Sequence, residues 1–299
     1  MRVTRNLTVL FLALLSASIL RAQDKKAANE AAAPPNVLLL VHQDIPPGKA
    51  AERQKLLGNI SRTCDRLGAP SYWITLQSLT GPQDAISFDP FESYEHLGQA
   101  RSEWVQFFAT HPDLARMQDE LQGLLVGERS SVAVRRDDLG YLAETIDLSE
   151  ARFMRVHEIH LFPGHENDAA EAFRILADAY GKIQADTPWA VYEVNVGTSS
   201  PTFVVFLPMA EFKQNDDLLS WNLNLMEAEG DQGRETLQRI AREAYATTES
   251  NLYVVSPEMS HVSKDFAVTD PDFWLHHEAA EAKPEPKADP KPTARRSNK

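Results

Sequence analysis

Two pairs of residues in this chain have the types and spacing of acid/base chemistry. His42 and Asp44 lie two positions apart, and so do Glu158 and His160. A carboxylate beside an imidazole fixes its tautomer and raises its basicity, which suits a general base or a metal ligand. Residues two apart share a face only on an extended strand, so each pair needs a strand to act as a unit. His165 and Glu166 follow just beyond the second pair. Solvated strand ends, with a histidine bonded to a carbonyl, are the plain structural alternative. The other histidines carry less. His157 and His160 have a spacing that serves a metal on a helix, but on a strand they point to opposite faces. His276 and His277 follow Phe273, Trp274 and Leu275. With Phe266 those three read as an apolar latch, and the two histidines as incidental. Trp73, Trp189, Tyr192, Glu193 and Asn195 combine aromatics with a few polar groups, the composition of a small-molecule pocket and equally of a core. Cys64 is the only cysteine. It shares an apolar helical pattern with Leu57, Ile60 and Leu67, so it reads as a buried thiol, and no internal disulfide holds the fold.

The elements that position these residues occur twice. Val41-His42-Gln43-Asp44-Ile45-Pro46-Pro47-Gly48 is answered by His157-Glu158-Ile159-His160-Leu161-Phe162-Pro163-Gly164. Phe88-Asp89-Pro90 is answered by Phe206-Leu207-Pro208, and Trp104 by Trp221, all at offsets of 116 to 118 positions. Three matches in the same order point to a duplicated unit. At this offset His42 aligns with Glu158 and Asp44 with His160, so the two strands carry acid and histidine in opposite order.

Each copy reads as strand, helix, two strands, helical region, strand. The first strand of copy one, 36–41, is a continuous apolar run, and Pro46-Pro47-Gly48 breaks it. A helix with Leu56, Leu57, Ile60, Cys64 and Leu67 at three- and four-residue spacing ends at Gly68. Residues 72–77 alternate as a strand, 85–88 and 131–135 complete the four, and helical segments lie between the last two. Copy two repeats the plan. Its strands are 153–162, 190–196, 203–207 and 252–255, and its helices are 169–183, 216–227 and 235–245. Strand-helix-strand-strand-helix-strand is the ferredoxin-like unit, whose sheet has helices on one face. Two such α+β units in tandem can bury the bare faces by packing sheet to sheet, as an intrachain α+β barrel. Trp73 and Val191 are then expected to line its interior.

The ends read differently. Arg2 and Arg5 precede an apolar stretch from Leu7 to Leu20, too short to span a bilayer, with Ala22 as a cleavage end. Residues 1–22 are therefore expected to be a signal peptide, and the chain to be exported to the periplasm or the exterior, with no membrane span after cleavage. Residues 23–35 read as a disordered linker, 36–148 and 149–258 as the two units, 259–278 as a docking segment and 279–299 as a disordered Lys/Pro tail. The formal charge is -13, and the body is more acidic still once the basic ends are set aside. Such a body repels phosphate backbones, so nucleic acid is excluded as a partner.

The first strand ending in Pro-Gly before a helix, with Phe-x-Pro ending the third strand, resembles the dimeric α+β barrel superfamily. Within it the pattern is similar to NIPSNAP-like and antibiotic-biosynthesis-monooxygenase-like domains, once per half over residues 36–258. The resemblance implies a barrel of two halves with a cavity between its sheets. Members include cofactor-free oxygenases, haem-binding enzymes and proteins with no assigned activity. The chain lacks a dinucleotide or phosphate loop, a Gly-x-Ser-x-Gly elbow, His-Glu-x-x-His and Cys-x-x-Cys-His. No motif indicates a cofactor, and non-covalent haem, which needs one axial ligand, stays open, as does any metal. The expectation is a barrel that binds a small apolar ligand or another protein, with further oligomerisation open. The alternative is a cofactor-free oxygenase or a haem- or metal-dependent enzyme. It would act between the sheets through His42, Asp44, Glu158 and His160.

Overall fold

The structure, a computed structural model, describes residues 32–275. The expected leader, most of the linker, His276, His277 and the tail lie outside the described residues. Eight strands form one closed antiparallel barrel: β1 (Val37–Asp44), β2 (Trp73–Ser78), β3 (Asp84–Phe91), β4 (Gly127–Arg135), β5 (Phe153–Leu161), β6 (Ala190–Val196), β7 (Thr202–Met209) and β8 (Tyr245–His261). Their order around the barrel is β1-β3-β2-β8-β5-β7-β6-β4. The first half thus runs β4-β1-β3-β2 and the second β8-β5-β7-β6, each with its first strand inside and its helices on one face. The seams are β2 against β8 and β4 against β6. β8 extends to His261 rather than ending near Val255. Its second part pairs with β2, Thr75 facing Ser256, and closes the barrel.

The helices are α1 (Ala50–Leu67), α2 (Tyr94–Thr110), α3 (Pro112–Gln122), α4 (Glu166–Lys182) and α5 (Gln214–Glu243), followed by the short α6 (Lys264–Ala267) and α7 (Pro271–Trp274). The matched Pro-Gly turns are structurally alike. Gly48 has φ 82° and Gly164 φ 92°, left-handed values that a side chain disfavours. In both, the next residue's N–H returns to the carbonyl three positions back, Lys49 to Pro46 and His165 to Phe162. α5 is two helices joined at Gly230, whose φ of 71° breaks the helical path.

Period two divides each strand between two cores. The inner face packs Leu38, Leu40, Leu76, Ile86, Phe88, Met154, Val156, Tyr192, Phe206 and Tyr253 into the barrel. The outer faces pack under the helices: Leu57, Ile60, Cys64 and Leu114 in the first half, and Phe173, Trp189, Val191, Phe203, Val205 and Leu207 in the second. Val191 and Trp189 thus sit beneath α4, and Trp73 packs with the helix layer of the first half. The expectation that Trp73 and Val191 line the barrel is corrected, because both fall on the helix-bearing face.

One end of the barrel is stoppered by the segments that flank it, 32–35 and 266–274. Ala32 is buried, the Tyr192 hydroxyl donates to the Pro35 carbonyl at 2.8 Å, and Arg135 donates to the Pro34 carbonyl. Residues 32–35, expected to be spacer, are therefore ordered as part of the plug. Phe266 and Trp274 join it, with Trp274 Nε1 donating to the Ser149 carbonyl at 2.8 Å. The apolar latch is thus present, except that Leu275 is exposed.

Candidate ligand cavity and buried polar cluster

β1 and β5 stand opposite each other across the closed barrel, and His42, Asp44, Glu158 and His160 all emerge on the inner face at the unplugged end. Glu158 stands between the two imidazoles. Its Oε1 lies 3.0 Å from His160 Nε2 and its Oε2 4.0 Å from His42 Nε2. His160 Nδ1 meets Thr202 Oγ1 at 2.9 Å, and that hydroxyl donates onward to the Ser200 carbonyl. Because that hydroxyl's hydrogen is committed to Ser200, His160 Nδ1 is the donor to Thr202.

Arg129 donates to His42 Nδ1 at 3.3 Å and lies 3.4 Å from Asp44 Oδ1. His42 therefore holds its hydrogen on Nε2, toward Glu158. Burial and the Arg129 charge push its pKa down to about 4, although Asp44 opposes this. Glu158 at 4.0 Å is too far to hydrogen-bond and reverse that shift. Asp84 faces Asp44 across the strand pair, takes a hydrogen bond from the Tyr253 hydroxyl at 3.3 Å on Oδ2, and leaves Oδ1 without a partner. Burial raises its carboxyl above the ordinary value. The four residues singled out from spacing thus share one end of the barrel. The free space beside His42 and Glu158, closed by Asp84, Arg129 and Tyr253, is about 10 Å³, room for one water at most.

Between the sheets there is little more. The interior beside the plug leaves about 20 Å³, because Phe88, Phe206 and Tyr192 stack there with ring centroids 5.6–5.9 Å apart. The cavity expected between the sheets is filled by side chains. Roomier spaces lie elsewhere: an open cleft of about 460 Å³ beside the plug, lined by Tyr72, Trp73, Phe91, His96, Arg135 and Phe266, and a cavity outside the barrel wall, beneath α1, α2 and α3 of the first half.

That cavity holds about 270 Å³ and is walled by Leu39, Leu57, Leu97, Trp73, Trp104, Phe108 and Leu114. Trp104 is fixed by its Nε1–H bond to Ser71 Oγ at 2.7 Å. On the sheet side are Ser87 and Asp89 from β3, and around the edge Arg101, Gln118 and Glu128. Asp89 makes no hydrogen bond or ion pair with any described residue. Burial pushes its carboxyl up to about 7. Protein surrounds it on all sides, yet part of its surface stays open to the cavity, so water admitted there softens the shift without removing its cause.

Of the five residues read as pocket-forming, Trp73 lines this cavity and Tyr192 points into the filled barrel. Trp189 is core under α4, Glu193 pairs with Arg136 at 2.7 Å on the outer face, and Asn195 is exposed. They do not converge: alternation along β6 turns Tyr192 inward and leaves Trp189, Glu193 and Asn195 spread along the outer face, while Trp73 belongs to the first half. Asp89 was missed by reasoning from motifs. The signal was its alignment with Leu207: the second half places Phe203, Val205 and Leu207 where the first has Ala85, Ser87 and Asp89.

No protein-family model matches the chain, and no curated protein matches it either. Solved structures match by shape. An anthrone oxidase-like protein has 11% identity and a TM-score of 0.49 over 75% of this chain and 93% of its own. A mutant chlorite dismutase from Candidatus Nitrospira defluvii has 8% identity and a TM-score of 0.44, covering 77% and 96%. A haem-binding protein from Thermus thermophilus has 11% identity and a TM-score of 0.41, covering 75% and 93%. The architecture common to them and this chain is an α+β fold, here a closed eight-stranded antiparallel barrel. Likeness this remote says nothing about chemistry.

Haem and metals can be tested against the residues present. Haem between the sheets has no room. In the helix-layer cavity, the side chain of axial-ligand type is Cys64, fully buried, with its thiol pushed up to about 12 by burial and by Asp65. A thiol held protonated is a poor iron ligand, so the helix-layer cavity does not fit haem, and the cleft beside the plug offers the His96 imidazole alone. Among the described residues, no three His, Cys, Asp or Glu side chains are arranged to hold a metal ion.

Proposed function

We propose that the protein is an exported small-molecule-binding barrel whose ligand occupies the helix-layer cavity of the first half. The observation that carries this reading is a carboxyl without a partner among the described residues, set in a largely apolar and aromatic cavity of about 270 Å³ whose other charged groups stand at its edge. An apolar cavity of roughly 150 Å³ takes a benzene-sized guest, so this one has room for a two-ring molecule. Export rests on the basic, apolar and small-residue order of residues 1–22. Descent of the halves from one duplicated, NIPSNAP-like unit rests on the matched Pro-Gly and Phe-x-Pro segments.

The test is binding of 1-naphthylamine, a two-ring fluorescent probe that is neutral at pH 7, followed by energy transfer from Trp73 and Trp104. Saturable one-to-one binding is expected. Ser87→Phe, which fills the cavity from the sheet side, abolishes it, whereas Ser87→Val, the residue type at Val205, leaves it nearly intact. Absence of saturable binding, or binding indifferent to Ser87→Phe, rejects the reading.

A second reading is favoured by Glu158 lying between two imidazoles. His160 and Glu158 would act as an acid/base pair on a molecule held at the unplugged end. The pair is part-exposed there, with side-chain exposures of 27% and 18%. The reading requires a substrate that stays outside the barrel, since the interior admits no more than a water.

A further inference from the structure

Deepening the ligand-binding reading, on which it rests, we infer that the cavity of the first half selects a lipophilic amine. Its ammonium would pair with Asp89 and its ring system would lie among Trp73, Trp104 and Phe108. The argument starts from what Asp89 does without a ligand. At the matching place in the other half, Leu207 closes an apolar core. Asp89 contributes no ion pair or hydrogen bond to the fold, so its desolvation is uncompensated until something enters the cavity.

The nearby charges of the chain do not answer it. Arg101 lies on the exposed side of α2 at the edge, and Glu128 is exposed and takes hydrogen bonds from Gln43 and Gln122 at 2.8 and 3.0 Å. Arg53, buried, is engaged by Gln43. Gln43 faces Ala85 while Asp89 faces Leu39, four residues along the strand and so roughly 13 Å away. Among the described residues, the one cation buried in this helix layer is thus committed elsewhere.

Three features then specify the guest. The walls are apolar, so its body is apolar. The floor offers an acceptor without a donor, so the guest brings a donor. Indole and phenyl faces attract cations, and a hydrogen bond to an ionised group is worth about twice a neutral one, so the favoured donor is charged. An anionic guest would meet Asp89 with like charge. Because burial holds the Asp89 proton until about pH 7, an entering ammonium displaces it, and binding releases a proton. Of the titratable groups facing the site, Cys64 stays protonated over this range, and Arg101 and Glu128 stand at the solvent edge.

Three indoles of one shape test this by titration calorimetry on the mature chain: tryptamine, neutral 3-propylindole and anionic indole-3-propionate. Tryptamine is expected to bind at least tenfold tighter than 3-propylindole at pH 7.5. Its enthalpy should vary between buffers of different ionisation enthalpy, reporting proton release at pH 6. Asp89→Asn and Asp89→Leu should each erase the preference while 3-propylindole still binds. If 3-propylindole binds and tryptamine binds no better, or the preference survives both variants, the amine assignment is overturned and the cavity reading stands. If none of the three binds while the protein is folded, both fall.

Discussion

Replacing Asp89 by leucine makes the first half resemble the second, and the consequence for stability follows from the carboxyl's environment. In the unfolded chain the group titrates near 3.8, and in the fold near 7. The folded form holds the proton more tightly, so stability is whole below the unfolded value and declines as pH rises from there to about 7. Above that the loss is constant. At about 1.4 kcal/mol per tenfold in proton affinity, the full loss is about 4 kcal/mol. Cavity water reaching Asp89 makes this a ceiling. About 2.6 kcal/mol of it falls between pH 5 and pH 8. Asp89→Leu removes the titrating group and adds apolar contact with Leu39 and Leu57. The variant should therefore be more stable than wild type, by a margin that widens by roughly 1–3 kcal/mol from pH 5 to pH 8. Urea unfolding of wild type, Asp89→Leu and the isosteric Asp89→Asn at both pH values reads this directly. Taking the difference between variants cancels every other titrating group. A margin independent of pH, or a leucine variant less stable at pH 8, would show that Asp89 is solvated or paired and refute the reasoning.

Acid sensitivity should come from two imidazoles. His42 and His157 are held near 4 by burial, aided by Arg129 and Arg155 respectively. The unfolded chain takes up their protons first as pH falls below 6.5, so stability is whole above that value and lost toward 4. Each contributes at most about 3 kcal/mol, and His157→Leu should flatten the acid limb in urea titrations at stepped pH. Glu158→Gln removes the carboxylate that bonds His160 and should cost about 1–3 kcal/mol. It should also move the imidazole NMR signals of His42 and His160 together, and independent signals would deny that Glu158 links them. Trp274→Ala empties part of the barrel plug and takes the indole bond from the Ser149 carbonyl. A loss of about 3–5 kcal/mol is expected by thermal or urea unfolding, and a loss below 1 kcal/mol would show that the latch is dispensable.

Much of the barrel was legible because its signals are local. Period two located the strands, three- and four-residue spacing located the helices, and the Pro-Gly turns fixed where β1 and β5 stop. The convergence of His42 and Glu158 could be reasoned from the repeat, since matched strands of a closed barrel present matched faces. The plug could not. Pro34 and Pro35 have the composition of a spacer, and what orders them is Tyr192 and Arg135, more than 100 positions away. The filling of the interior was equally hidden, because large side chains on alternating positions read the same whether they line a void or close one.

Asp89 falls between these cases, and the reason bears on how such repeats are read. Where both halves keep a residue type, as at Gly48 and Gly164 or Phe88 and Phe206, the fold alone explains it. Where they diverge at a buried position, packing needs no longer account for both. Leu39 and Asp89 face each other in the first half, and Arg155 and Leu207 at the same place in the second. Arg155 donates to Asn215 Oδ1 at 2.9 Å, although its Nε keeps no partner. Asp89 finds no partner. A carboxyl that the matched half replaces by leucine, and that no described residue pairs, is better explained by something the chain binds than by anything the chain needs to stand.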